Sequence, residues 1–140
     1  MKQNRIVCWC ARVSGILLML MSLPHYVIGL QVAVLQPIAD GKITDQDVGE
    51  TFYAIWIFST VAMFLLGVTL LFISTDLRFF HRRAWKLALL ISLGLGGFGA
   101  GMTIKYPDSA PIAIQFLTVA LITLIPLLIF SRSYLGKDAT

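Results

Sequence analysis

The chain has 140 residues, of which 58% are hydrophobic and only 13% are charged, against about 25% charged in an average soluble domain. This composition excludes a water-soluble globular fold, because too few polar residues are present to cover an apolar core. The formal net charge of +4 comes from cations that flank apolar stretches, a pattern that suits anionic lipid headgroups and does not indicate nucleic-acid binding.

Four apolar stretches are long enough to cross a bilayer. A spanning helix needs about 20 mostly apolar residues, because the hydrocarbon layer is ~30 Å thick and each helical residue rises ~1.5 Å. The stretches cover residues 13–35, 52–73, 85–104 and 112–130, and none has Asp, Glu, Lys or Arg in its interior. The sequence therefore predicts an all-α membrane protein, a four-transmembrane-helix bundle that forms one domain over residues 1–140.

The positions of the cations predict the orientation. Nine of the 11 Lys and Arg residues lie in the amino-terminal segment, around the basic loop 74–84 or in the carboxyl tail. The other two loops hold only Lys42 and Lys105. Because cytoplasmic loops are enriched in Lys and Arg, both termini are expected in the cytoplasm, with the protein in the plasma (inner) membrane.

The first span carries small and polar residues at intervals of seven. They are Gly15, Ser22, Gly29 and Gln36. Residues with this spacing share one face of a helix, and small residues allow a neighbouring helix to approach closely. We therefore expect this face to pack against protein and not against lipid.

His25 is the most informative residue of the first span, because an ionisable side chain within a span is a functional-site candidate by default. Pro24 beside it removes the backbone hydrogen bond to the carbonyl of Leu20, which predicts a kink with an unoccupied acceptor. The alternative interpretation is structural. In that case a neutral imidazole holds the bundle together by bonding Tyr53, Gln115 or a backbone carbonyl.

The connection over residues 36–51 is expected to form an acidic outer loop. It contains Asp40, Asp45, Asp47, Glu50 and one cation, Lys42. Thr44, followed by acids, resembles a helix N-cap, so the second helix is expected to begin above the membrane. The spacing of the acids does not fit a calcium-binding loop, and no metal site is predicted.

The second and fourth spans each place polar or aromatic residues between mid-membrane and the outer face. Tyr53 and Trp56 lie three residues apart in the second span, and Gln115 and Thr118 have the same spacing in the fourth. Together with His25, these four residues are predicted to line one outward-facing ligand pocket. The other histidine lies in the cytoplasmic loop, so a two-histidine haem is not expected and the cofactor is unknown.

The third span is rich in glycine, with Gly94, Gly97 and Gly101 as the predicted packing residues. Gly97 and Gly101 form a GxxxG pair, which lets two helix backbones come together in lipid. Packing within the bundle is the favoured interpretation, and a homo-oligomer interface is the alternative.

The first half of the chain resembles the small four-helix bacterial membrane proteins grouped as DoxX-like. Their first helix has the form GxxxxxxGxxHxxxG and is followed by an acidic outer loop and an aromatic-rich second helix. Gly15, His25 and Gly29 match the first helix, and Tyr53 and Trp56 match the second, whereas Ser22 replaces the middle glycine. The resemblance implies a fold more than an activity.

Three functions are compatible with these features. The favoured one is a binding or accessory bundle that holds a lipid-like or small hydrophobic ligand around His25, with membrane lipids as its surroundings. The second is a structural subunit that packs into a larger membrane complex through the glycines of the third helix. The third is an enzyme with His25 as acid or base, which is disfavoured because no second catalytic group is evident.

Overall fold

The computed structural model describes residues 2–105 and 110–135, and 92% of these are helical with none in a strand. Three helical segments are long and apolar enough to cross a membrane: Arg5–Gly29, Gln46–Arg78 and Arg82–Lys105. A shorter apolar helix, Ala113–Ile129, follows them. The prediction of an all-α architecture with membrane-spanning helices is confirmed at this level.

The helices follow one another with short connections. In chain order they are α1 (Lys2–Pro24), two π-helical segments (His25–Gly29 and Gln31–Leu35), α2 (Gln36–Ala39), α3 (Gln46–Arg78), α4 (Arg82–Lys105), α5 (Ala110–Ile129) and α6 (Ser131–Leu135). Helix α1 packs along α3, α4 packs along α5, and α1 also contacts α5. We call the end of the bundle that holds residues 40–47 the acidic end, and the end that holds residues 79–81 and α6 the basic end.

The acidic outer loop predicted over residues 36–51 and the basic loop predicted over residues 74–84 are mostly helical. Helix α2 and the start of α3 take up most of residues 36–51, and only residues 79–81 separate α3 from α4. The cap of α3 is Asp45 and not Thr44, because the Asp45 carboxylate accepts the backbone N–H groups of Asp47 at 2.9 Å and Val48 at 3.2 Å. A carboxylate at this position also interacts favourably with the helix dipole.

Helices α1 and α3 cross at a pair of glycines. A Cβ atom added to Gly15 would lie 2.7 Å from the carbonyl oxygen of Gly67, and the reverse addition gives the same distance. Gly15 and Ser22 are buried, and Gly29 also lies against α3, which confirms that this face of the first helix packs against protein. Gln36 is exposed, because the intervening π-helical turns contain more residues per turn and rotate it away.

Buried hydroxyl groups connect α1 to α5. Ser14 donates to the backbone carbonyl of Val119 at 3.1 Å, and Thr123 donates to the Ser14 oxygen at 2.7 Å. Each of these three residues is at most 2% exposed. The chain of hydrogen bonds fixes the register of the two helices and leaves neither hydroxyl group unpaired in an apolar interior.

Helices α4 and α5 meet at Gly99, where an added Cβ would lie 2.9 Å from Leu117 Cγ and 3.0 Å from the Ala113 carbonyl oxygen. The three glycines predicted to pack, Gly94, Gly97 and Gly101, have nothing within 4 Å of an added Cβ. Gly97 and Gly101 are each two residues from Gly99, which places them about 200° around the helix. The structure therefore assigns the packing of α4 on α5 to Gly99 and leaves the GxxxG pair on another face.

Two aromatic side chains donate hydrogen bonds to helix-end carbonyls at the basic end. Trp85 Nε1 donates to the carbonyl of Leu127 at 3.0 Å, and the Tyr134 hydroxyl donates to that of Leu77 at 2.9 Å. The carbonyls of the last helical turn lack partners in the regular α-helical pattern, and each of these two aromatic side chains gives one of them a donor. Burial raises the pKa of Tyr134 to about 12, so its phenol remains a hydrogen-bond donor at neutral pH.

Helix α3 ends in a tight turn with Phe80 in the left-handed region at φ 61°. The N–H of His81 reaches the carbonyl of Asp76 at 3.1 Å, and the N–H of Phe80 reaches that of Leu77 at 3.2 Å, the two bonds of a Schellman motif. Glycine usually occupies this position because a side chain is strained there. The Phe80 ring packs edge-on against Tyr134 at 5.2 Å, and this contact offsets the strain.

Candidate functional site

The first helix changes from α-helical to π-helical geometry directly after Pro24. Proline has no N–H to bond the carbonyl of Leu20, so the regular α-helical bonding pattern is interrupted at this point. The chain instead forms the π-helical segments His25–Gly29 and Gln31–Leu35, and the N–H of Gln36 bonds the carbonyl of Gln31 five residues back. Single π-helical turns inside α-helices occur frequently at functional sites.

Trp56 of α3 docks onto the first π-helical segment through three contacts. Its indole Nε1 donates to the backbone carbonyl of His25 at 2.9 Å. Its ring stacks on the His25 imidazole with centroids 4.5 Å apart and planes 9° apart. Gly29 makes room for the indole, because a Cβ there would lie 2.5 Å from Trp56 Cζ2. These contacts fix the position of both rings.

The His25 side chain is oriented by Ser59 and not by the predicted partners Tyr53 or Gln115. His25 Nε2 lies 3.1 Å from the Ser59 oxygen, and the Ser59 hydroxyl donates to the carbonyl of Trp56 at 2.8 Å. A hydroxyl has one hydrogen, so Ser59 accepts from a protonated Nε2. In the neutral imidazole this leaves Nδ1 as a hydrogen-bond acceptor.

A half-open cleft of about 350 Å³ lies beside these rings, between the π-helical segments, α3 and α5. It is lined by Met21, Pro24, His25, Ile28, Gly29, Val32, Trp56, Met63, Gln115 and Phe116. The first helix packs against α5 along α1 and separates from it along the π-helical segments. The cleft occupies the gap that this separation creates.

Three of the five predicted site residues line the cleft: His25, Trp56 and Gln115. Tyr53 instead lines a separate groove at the acidic end, because it lies one helical turn, about 4.5 Å, beyond Trp56. Thr118 is exposed, and its hydroxyl donates to the carbonyl of Ile114 at 2.8 Å within its own helix. It lies about 200° around α5 from the cleft residue Phe116 and about 60° from the cleft residue Gln115.

Sequence reasoning missed Ser59 and gave Gly29 only a general packing role. Both could be found from spacing, since Ser59 follows Trp56 by three residues and Gly29 follows His25 by four, so each pair shares a helix face. The Gln115 amide has no hydrogen-bond partner among the residues that the structure describes. Within the same residues, no group of three or more His, Cys, Asp and Glu side chains is placed to hold a metal ion.

The fold and the cleft define this chain as a helical membrane protein with a small, largely apolar cavity at a π-helical segment. Comparisons with protein-family models, with curated proteins and with solved structures found no match to the chain. The cleft must therefore be interpreted from its own geometry.

Proposed function

We propose that this chain is a small binding or accessory membrane protein whose cleft holds one lipid-like or small hydrophobic molecule. The observation that carries the proposal is the exposed Gln115 side chain in the wall of an apolar cleft, whose amide has no hydrogen-bond partner among the residues that the structure describes. Where such an amide faces hydrocarbon and not water, the lack of a hydrogen-bond partner costs about 1–3 kcal/mol. A bound molecule with a polar group supplies the missing partner.

We also propose four spans, with both termini in the cytoplasm and the protein in the plasma membrane. Helix α5 has 20 residues and no charged side chain, and a helix of that length reaches about 30 Å, the thickness of the hydrocarbon layer. The bond from Tyr134 to Leu77 supports an even number of spans, because it joins the segment after α5 to the end of α3. The distribution of Lys and Arg supports the orientation.

This topology predicts opposite labelling of two exposed positions. In a variant with Cys8 and Cys10 replaced by Ser, a membrane-impermeant maleimide should label Lys42→Cys in intact cells. It should label Arg83→Cys only after the membrane is permeabilised. Both native side chains are exposed, so access to the reagent depends on the side of the membrane. The reverse labelling pattern, or labelling of both positions in intact cells, would contradict the proposed orientation.

The ligand proposal is tested by native mass spectrometry of the protein extracted gently from its own membrane. The wild-type chain should carry a defined hydrophobic adduct, and His25→Ala should reduce its occupancy at least about five-fold, which corresponds to one membrane hydrogen bond of about 1 kcal/mol. His81→Ala is the matched control, because the other histidine is exposed at the basic end and lies outside the cleft.

Equal adduct occupancy in the two histidine variants, or no adduct on the wild-type chain, would contradict this proposal. Because His25→Ala also removes the ring stacked on Trp56, the helical circular dichroism of each variant is measured in parallel. Loss of the adduct is evidence for a binding role only in a variant whose circular dichroism spectrum matches that of the wild-type chain. A misfolded His25→Ala would be replaced by Ser59→Ala, which removes the hydroxyl that orients the imidazole and leaves both rings in place.

The second candidate function is a structural subunit of a membrane complex. The open space over Gly94, Gly97 and Gly101 favours it, because that face can accept a helix of another chain. The same mass spectrum distinguishes the ligand-binding function from the structural one. A heteromeric assembly without an adduct would support a structural subunit. The enzyme hypothesis gains no second catalytic group from the described lining of the cleft, because Tyr53, the nearest predicted hydroxyl, lines a separate groove. The DoxX-like resemblance remains a proposal about fold.

A further inference from the structure

The few polar groups in the lining of the cleft restrict what it can bind. Among the described residues that line it, His25 is the one ionisable side chain, and its Nε2 is already bonded to Ser59. The indole N–H of Trp56 is also occupied, by the carbonyl of His25. A charged headgroup in this cleft would lose its water and meet no Asp, Glu, Lys or Arg among the described lining residues, which is unfavourable.

The hydrogen-bonding groups that remain are uncharged. The Gln115 amide offers one acceptor and two donor hydrogens, and the neutral His25 ring offers Nδ1 as an acceptor. A hydroxyl group both donates and accepts, so it can satisfy either of these side chains. The complementary head is therefore small, uncharged and able to donate as well as accept a hydrogen bond.

The rest of the lining suits a flexible hydrocarbon chain. Met21 and Met63 have unbranched, polarisable side chains that adapt to irregular shapes, and Phe116 adds an apolar face. The rim is apolar as well, because Ile28 is 62% exposed and Val32 is 57% exposed on the open side of the π-helical segments. A molecule that reaches the cleft past these residues arrives from the hydrocarbon layer and not from water.

We propose that the ligand is an uncharged, hydroxyl-bearing lipid of the diacylglycerol type, which enters sideways from the bilayer between the π-helical segments and α5. Its hydroxyl head bonds Gln115, and its acyl chains remain partly in the membrane. This inference rests on the proposed binding function and names the class of ligand.

The test is a competition experiment on the purified full-length chain in phosphatidylcholine nanodiscs. Radiolabelled dioleoylglycerol is bound first and then challenged with unlabelled dioleoylglycerol or dioleoylphosphatidic acid, which has the same acyl chains and an anionic head. Dioleoylglycerol should compete at least about ten-fold better, because only the anionic head is desolvated without a partner. Competition also excludes a false signal from the basic end. Phosphatidic acid that binds the cations there does not displace dioleoylglycerol from the cleft.

Two variants locate the binding. Gln115→Leu should weaken dioleoylglycerol binding at least about five-fold, the equivalent of one hydrogen bond in a membrane. Its fold should be unaffected, because the described residues make no hydrogen bond to the native side chain. Thr118→Val is the matched control, since Thr118 lies on the same helix, is exposed and bonds only its own backbone.

Equal or better competition by phosphatidic acid would overturn the proposal, as would unchanged binding in Gln115→Leu. The two proposals fail differently. If the native adduct is present and depends on His25 while dioleoylglycerol is not preferred, the binding function stands and the ligand class is wrong. If the wild-type chain carries no adduct and binds neither lipid, both proposals are wrong.

Discussion

Gly67→Ala should lower the free energy of unfolding by about 2–3 kcal/mol, the cost of overpacking a tight interior. The new Cβ would lie 2.7 Å from the Gly15 carbonyl oxygen and 3.1 Å from the backbone nitrogen of Met19. Both are backbone atoms of α1, so no side-chain rotation relieves the clash and the two helices must separate. The measurement is unfolding of the detergent-solubilised chain in increasing sodium dodecyl sulfate, followed by circular dichroism.

Gly94→Ala and Gly97→Ala are the matched controls for Gly67→Ala. All three substitutions add the same methyl group to a helix, but Gly94 and Gly97 have nothing within 4 Å of an added Cβ. Alanine favours a helix over glycine by about 1 kcal/mol, so the control variants should be as stable as wild type or slightly more so. A Gly67→Ala variant as stable as these controls would show that α1 and α3 are not in close contact there.

The contrast between the glycines of the first helix and those of α4 shows which parts of the fold were predictable from the sequence. Apolar length identified the three helices that are long enough to cross a membrane, because hydrocarbon thickness imposes that length on the sequence. The stripe through Gly15 and Gly29 also identified a packing face of the first helix. In α4, however, glycine occurs on several faces, so the GxxxG pair at Gly97 and Gly101 did not distinguish the buried face from the open one. That distinction depends on the rotation of α4 against α5, which the spacing of small residues does not determine.

The candidate site was predictable to a similar degree. His25, Trp56 and Gln115 were expected at one depth and do line one cleft. Tyr53 and Thr118 were expected to share the helix faces of Trp56 and Gln115, and neither is among the residues that line the cleft. The π-helical segments after Pro24 change rotation and rise along the first helix, and the sequence gives no direct measure of that change. His25 pairs with Ser59, three residues further along α3 than Trp56.

The π-helical segments connect the fold to the proposed binding site. They move the first helix away from α5 and thereby open the cleft, while Trp56 keeps the same segment attached to α3. The opening is therefore held by few contacts, in contrast to the continuous packing of α1 on α3. Loss of the Trp56 contact should affect the cleft without unfolding the bundle, which separates binding from stability in an experiment.

Gly29→Ala should weaken ligand binding without unfolding the bundle. We expect it to reduce ligand occupancy at least about ten-fold, equivalent to 1.4 kcal/mol. The added Cβ would lie 2.5 Å from Trp56 Cζ2 and 3.2 Å from Cε2. The indole cannot rotate away without losing its 2.9 Å bond to the His25 carbonyl and its stacking on the imidazole. The displaced ring should also change the tryptophan emission spectrum, while the helical circular dichroism stays at the wild-type level.

A double-substitution cycle tests whether Gly29→Ala acts through Trp56. Trp56→Phe replaces the indole by a smaller ring, so the double variant Gly29→Ala with Trp56→Phe should bind no worse than Trp56→Phe alone. Interaction energies between contacting residues of about 0.5–3 kcal/mol are large enough to be resolved. If the two substitutions were additive, the effect of Gly29→Ala would have to arise elsewhere in the first helix. Non-additivity would identify the contact between Gly29 and Trp56 as the element that holds the cleft in its binding form.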